Sequence, residues 1–77
     1  MQVVAFVLIR VRAGTAFEVL KAVKQIEGVK EAYTITGEYD IIAKVEVKDL
    51  KELGEKVVGE IHKIDGVIST VTSITIP

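Results

Sequence analysis

The chain has 77 residues, no cysteine, and ten Lys and Arg against eleven Asp and Glu, for a formal net charge of −1. That length holds one domain, residues 1–77, and the missing cysteines exclude disulfides and thiolate metal sites. The near-neutral balance lacks the basic stripe with which a protein displaces counterions from phosphates, so direct DNA binding is not expected.

Residues Val3 to Arg12 are rich in Val, Ile and Phe and stop at Ala13-Gly14, which predicts a strand followed by a turn. Its odd positions Val3, Ala5, Val7, Ile9 and Val11 are apolar throughout. Its even positions Val4, Phe6 and Leu8 are apolar until Arg10 and Arg12 take over, so both faces need cover. Thr15 with Glu18 has capping-box spacing, with the hydroxyl expected to accept from the Glu18 amide. Ala16, Val19, Leu20, Val23 and Ile26 then recur at helical spacing, and Gly28 is the expected left-handed stop. A second strand is predicted over Val29 to Thr36. Thr36-Gly37-Glu38-Tyr39 follows as a two-residue hairpin, with glycine at the first central position of a type II′ turn.

The third strand is predicted over Asp40 to Val47, with Ile41, Ala43, Val45 and Val47 on one face and Lys44 and Glu46 on the other. Asp49 with Glu52 repeats the capping pattern, and Leu50, Leu53, Val57, Ile61 and Ile64 form a buried helical stripe. Gly54 and Gly59 interrupt that helix at about 1 kcal/mol each relative to Ala, which points to close packing against the sheet. Gly66 ends it, and Val67 to Ile76 is a last strand rich in Thr and β-branched residues. Ile26-Glu27-Gly28-Val29 and Ile64-Asp65-Gly66-Val67 are near copies, each at a helix-to-strand junction. Two strand-helix-strand units joined by a hairpin give an α+β, ferredoxin-like βαββαβ fold, a four-stranded antiparallel sheet with two helices on one face. If the unbroken odd-numbered faces meet the helices, Val4, Phe6, Leu8 and Ile42 are left on the open face. Each is worth about 1.5–3 kcal/mol when fully buried, so a homodimer packed sheet to sheet is expected.

Catalytic signals are absent. His62 is the only histidine and lies beside the helical stripe, and Ser69 and Ser73 have no base near them in sequence. No metal site, no cofactor and no enzymatic activity are expected, and no phosphate-binding glycine loop occurs. RNA recognition on this fold stacks bases on aromatics of the central strands, but the third strand offers only Ile41-Ile42-Ala43-Lys44-Val45 there. No apolar run approaches the roughly 20 residues of a membrane span and no signal peptide opens the chain, so no membrane partner and a cytoplasmic location are expected. What remains is Thr36-Gly37-Glu38-Tyr39-Asp40, which gathers free backbone amides, a phenol and two carboxylates, with Thr70 and Thr72 on one side of the last strand. Carboxylates hold an ammonium, and amides or hydroxyls hold a carboxylate, which together describe recognition of an amino-acid zwitterion.

Ala5-Phe6-Val7-Leu8-Ile9, the Gly37-Glu38-Tyr39-Asp40 hairpin, Asp49 with Leu53, and Gly66-Val67-Ile68-Ser69-Thr70-Val71-Thr72 together resemble the ligand-binding (RAM) domain of the Lrp/AsnC transcription regulators. The resemblance covers essentially the whole chain. It implies a dimer of opposed sheets, assembled further into an octamer of four dimers, with amino-acid effectors held where dimers meet. Carried over by position, it makes Thr36, Gly37, Glu38, Tyr39 and Asp40 the effector loop and Thr70 and Thr72 contacts from the last strand. Regulators of this family carry an N-terminal helix-turn-helix domain, whereas this chain opens directly on its first strand, as in a stand-alone form that modulates a full-length regulator. Three alternatives stay open: an ACT-like amino-acid-binding domain, a small dimeric α/β-barrel enzyme, and a ligand-free oligomerisation module.

Overall fold

A computed structural model describes residues 2–76. The elements follow the order β1 (Val3–Val11), α1 (Ala16–Lys24), β2 (Val29–Thr34), β3 (Ile41–Val47), α2 (Leu50–Glu52), a π-helical segment (Leu53–Val58), α3 (Gly59–His62) and β4 (Val67–Ile74). The strands lie in the order β2-β3-β1-β4, and every neighbouring pair is antiparallel. This is the ferredoxin-like arrangement expected from the sequence. Alternation decides the core: Ala5, Val7, Ile9 and Val11 of β1 and Ile41, Ala43, Val45 and Val47 of β3 are all buried. They pack with Val19 and Val23 of α1 and with Leu53, Val57 and Ile61 of the second helical stretch. Val4, Phe6, Leu8 and Ile42 point the other way and are only half-buried.

Local details depart from the sequence expectation in five places. The Thr15 hydroxyl donates to the Arg12 carbonyl at 2.7 Å instead of accepting from Glu18, and it makes no cap to the helix. It also stands beside Gly66, where a Cβ would meet Thr15 Oγ1 at 2.9 Å. Second, Gly28 is not the helix stop, since α1 ends at Lys24 with Gln25 still right-handed. Gly28 (φ 102°) and Gly66 (φ 106°) are each the third residue of a four-residue turn, closed by Val29 N–H donating to Ile26 O at 3.1 Å and Val67 N–H to Ile64 O at 3.2 Å. The repeated motif is therefore a turn chemistry used twice, with glycine where positive φ is required. Third, β2 ends at Thr34 and β4 at Ile74, each two residues short of the expectation.

The second helix differs most. Asp49 caps it as expected, accepting from the Glu52 amide at 2.8 Å, but the Glu52 carboxylate reaches the Lys48 amide instead of that of Asp49. Leu50 is exposed and outside the core. From Leu53 to Val58 the backbone widens into a π-helix, and the Gly59 amide donates to Gly54 O. Gly54 and Gly59 do not serve close packing on the sheet. A Cβ at Gly54 would meet nothing within 4 Å, and one at Gly59 would meet only the Gly54 carbonyl oxygen at 3.3 Å. Both glycines accompany the widened turn. Gly54 has no positive φ, so Gly54→Ala should stabilise the domain by about 0.5–1 kcal/mol in urea unfolding through a less flexible unfolded chain. A loss of stability would show that the π-helical turn itself requires glycine.

Candidate functional site

The fifth departure is the β2–β3 connection. Ile35 N–H donates to Asp40 O at 2.9 Å, so the loop comprises residues 36–39 and not two central residues. Gly37 carries φ 108° at its apex, with open space around the position a Cβ would take. The longer loop exists because Asp40 is bonded to β1. Its amide donates to Ile9 O at 2.9 Å, and its carboxylate accepts from the Val11 amide at 2.8 Å. Cα pairing of β1 with β3 stops at Ile9–Ile41, so Val11 has no β3 residue opposite it to accept its N–H, and the Asp40 carboxylate takes that place.

Arg10 gives the loop its second anchor. Its Nε donates to the Glu38 carbonyl at 3.3 Å, its Nη2 lies 3.5 Å from the Glu38 carboxylate, and its guanidinium carbon stands 5.2 Å from the centre of the Tyr39 ring. The ion pair is solvent-exposed, 42% on Arg10 and 76% on Glu38, and by itself contributes little to stability. Sequence reasoning noted Arg10 only as the end of an apolar run. The available signal was a cation that continues the Val4-Phe6-Leu8 face of a central strand.

The structure thus brings Glu38, Tyr39 and Asp40 together against β1, with Thr36 and Gly37 exposed at the tip of the loop. It places Thr70 and Thr72 elsewhere. They pair across β1 with Ile9 and Val7, on the helix side of the sheet, and the Thr70 hydroxyl is 3.0 Å from His62 Nε2. Among the described residues no hydrogen bond joins either threonine to the hairpin. His62 ties the end of α3 to β4, and among the described residues no group of three or more His, Cys, Asp or Glu is arranged to hold a metal.

The open face is continuous with the loop. Leu8 pairs with Ile42 of β3 and Val71 of β4, and Ile42 with Tyr33 of β2. Tyr33 and Val71 are 57% and 42% exposed. Phe6, Ile42 and Tyr33 line a shallow cleft of about 290 Å³ with Glu31 and Lys44. The Tyr33 hydroxyl donates to Glu31 at 2.8 Å, and that bond, with the carboxylate's charge beside it, holds the phenol above its ordinary pKa. No described helix is long and apolar enough to cross a membrane.

A family model for the Lrp/AsnC ligand binding domain matches residues 4–76. An uncharacterized HTH-type transcriptional regulator of Pyrococcus furiosus is 36% identical over 74 residues, which are 92% of this chain and 49% of the regulator. A homocitrate synthase of Sulfolobus acidocaldarius is 45% identical over 56 residues, 73% of this chain and 12% of the enzyme. The chain therefore spans about half of the one curated relative and about an eighth of the other. The crystal structure of TTHA0845 from Thermus thermophilus superposes with a TM-score of 0.91 at 36% identity, covering 97% of this chain and 94% of that one.

Proposed function

This chain belongs to the Lrp/AsnC ligand-binding domain family, and from that premise we propose that it is a regulatory module binding a small amino acid where copies of it meet. The observation that carries the reading is the loop of residues 36–39. It stands at the end of the sheet, fixed by Asp40 and Arg10 to β1, with open backbone at Gly37 and carboxylates of Glu38 and Asp40 beside it. Donors and carboxylates side by side suit a ligand that carries both charges. Like stretches lie within a protein named as a transcription regulator and one named as a synthase. The shared stretch is about half of the one protein and about an eighth of the other, which favours a sensing or assembly module over a complete regulator or enzyme.

In this reading Val4, Phe6, Leu8 and Ile42 form the centre of a sheet-to-sheet homodimer, and four such dimers close into an octamer. Thr70 and Thr72 are separated from the loop within one copy, so they contribute to its site only from a neighbouring copy. A full-length regulator is the further partner, and the near-neutral charge argues against duplex DNA. The test is a thermal-shift screen of the twenty amino acids, followed by calorimetry and light scattering. A ligand present at about 100 times its dissociation constant adds roughly 2.7 kcal/mol. One or a few small amino acids should raise the transition temperature and, because two dimers share the site, increase the assembled mass. No shift with any of the twenty would leave a ligand-free assembly module in place of this reading.

A further inference from the structure

Arg10 is held in an unfinished way. Its Nε is occupied by the Glu38 carbonyl, and its guanidinium carbon stands 5.2 Å from the centre of the Tyr39 ring, so two contacts hold the group against the loop. The outer edge has only the Glu38 carboxylate, at 3.5 Å from Nη2. Charge-assisted N–H···O bonds between such groups run to about 2.7–2.9 Å, and a matched carboxylate engages two N–H groups in parallel. The edge of the fork is thus oriented, 42% exposed on the Arg10 side chain, and not satisfied by its present partner. Gly37, one residue before Glu38, presents no side chain, and nothing stands within 4 Å of the space a Cβ would take.

We propose that Arg10 anchors the carboxylate of the bound amino acid, and that the ligand does so by inserting into the Arg10–Glu38 pair. The zwitterion's carboxylate takes the Nη1/Nη2 edge of Arg10, and its ammonium takes the Glu38 carboxylate that Arg10 releases. Two ion contacts replace one, and no charge is left alone. Nε keeps its bond to the Glu38 carbonyl, so the loop stays tied to β1 while the Glu38 side chain turns to the ligand. The proposal rests on the amino-acid reading above and sharpens it, because it makes both main-chain charges of the ligand necessary. It also explains why an arginine continues an otherwise apolar strand face, since lysine offers a point charge without the planar two-donor edge.

The experiment is calorimetry of the purified protein with each of the twenty L-amino acids. For those that bind, the matching α-carboxamide and the decarboxylated amine are measured as well. Wild-type protein should reject both analogues. Arg10→Gln should weaken the amino acid by about ten- to a hundredfold, the loss typical of a charge-assisted hydrogen bond, and should remove the discrimination against the carboxamide. Arg10→Lys, which keeps the charge, should recover part of both, and thermal transitions near that of wild type would show the variants folded. If Arg10→Gln and Arg10→Lys bind as tightly as wild type and still reject the carboxamide, the carboxylate is held elsewhere. Arg10 then loses this role while the amino-acid reading stands. Absence of binding by wild type to all twenty overturns both.

Discussion

Replacing Phe6 by Asp is expected to break the proposed sheet-to-sheet dimer and give folded monomers. Phe6 sits on the central strand β1, on the open face, between Val4 and Leu8, and pairs across to Lys44 of β3 and Ser73 of β4. In a sheet-to-sheet dimer this position is desolvated, and a carboxylate buried there without a matched partner costs several kcal/mol, enough to dissociate the pair. In a single copy the same position is only half-buried and open to water, which solvates the charge, whereas Lys44 stands opposite it in both states and does not distinguish them. The substitution therefore strikes the interface much harder than the fold. Light scattering should give the mass of one chain while circular dichroism keeps the native spectrum. An unchanged mass with unchanged stability would remove the face-to-face arrangement.

Asp40→Ala is expected to cost about 1–3 kcal/mol of stability, because it leaves the Val11 amide, on a buried residue, without an acceptor. The same change removes one of the loop's three ties to β1, leaving the residue-40 N–H bond to Ile9 O and the Arg10 bond to the Glu38 carbonyl, and should weaken amino-acid binding in the proposed site as a consequence. Asp40→Asn separates the two effects. Its amide oxygen still accepts from Val11 N–H, so stability should largely return in urea unfolding. If binding returns with it, Asp40 braces the loop; if stability returns and binding does not, its charge meets the ligand's ammonium. Full stability of Asp40→Ala would mean that another group satisfies Val11.

The large divisions of this molecule were legible in the sequence because they rest on short-range regularities. Alternation in β1 and β3 told which face meets the helices, and the two Ile-acid-Gly-Val copies marked both helix-to-strand junctions. What escaped depends on partners distant along the chain. Thr15 had the spacing of a cap, but its hydroxyl bonds to the Arg12 carbonyl and lies against Gly66, a neighbour only the fold supplies. The hairpin read as two central residues because nothing local shows that Asp40 is needed at Val11, twenty-nine positions away. Arg10 went unassigned for the same reason, since its partners in the loop lie equally far off. Helical spacing also cannot register a π-turn, because the apolar positions 53, 57 and 61 suit a regular helix nearly as well.

The placement of β1 between β3 and β4 has a consequence for how this domain forms. Ala5 is paired with Ile74 and Val7 with Thr72, so the first strand of the domain finishes its ladder only with the last one. β2 and β3 are neighbours in sequence, whereas β1 pairs with two strands that are both remote along the chain. Pairings this remote pay the loop-closure entropy before they gain any contact, which slows folding relative to a helical domain of the same size. Until β4 arrives, Phe6 and Leu8 lack their neighbours Ser73 and Val71, and an unpaired apolar strand edge is open to other chains. Production at lower temperature or slower synthesis should therefore raise soluble yield more than any change to the helices.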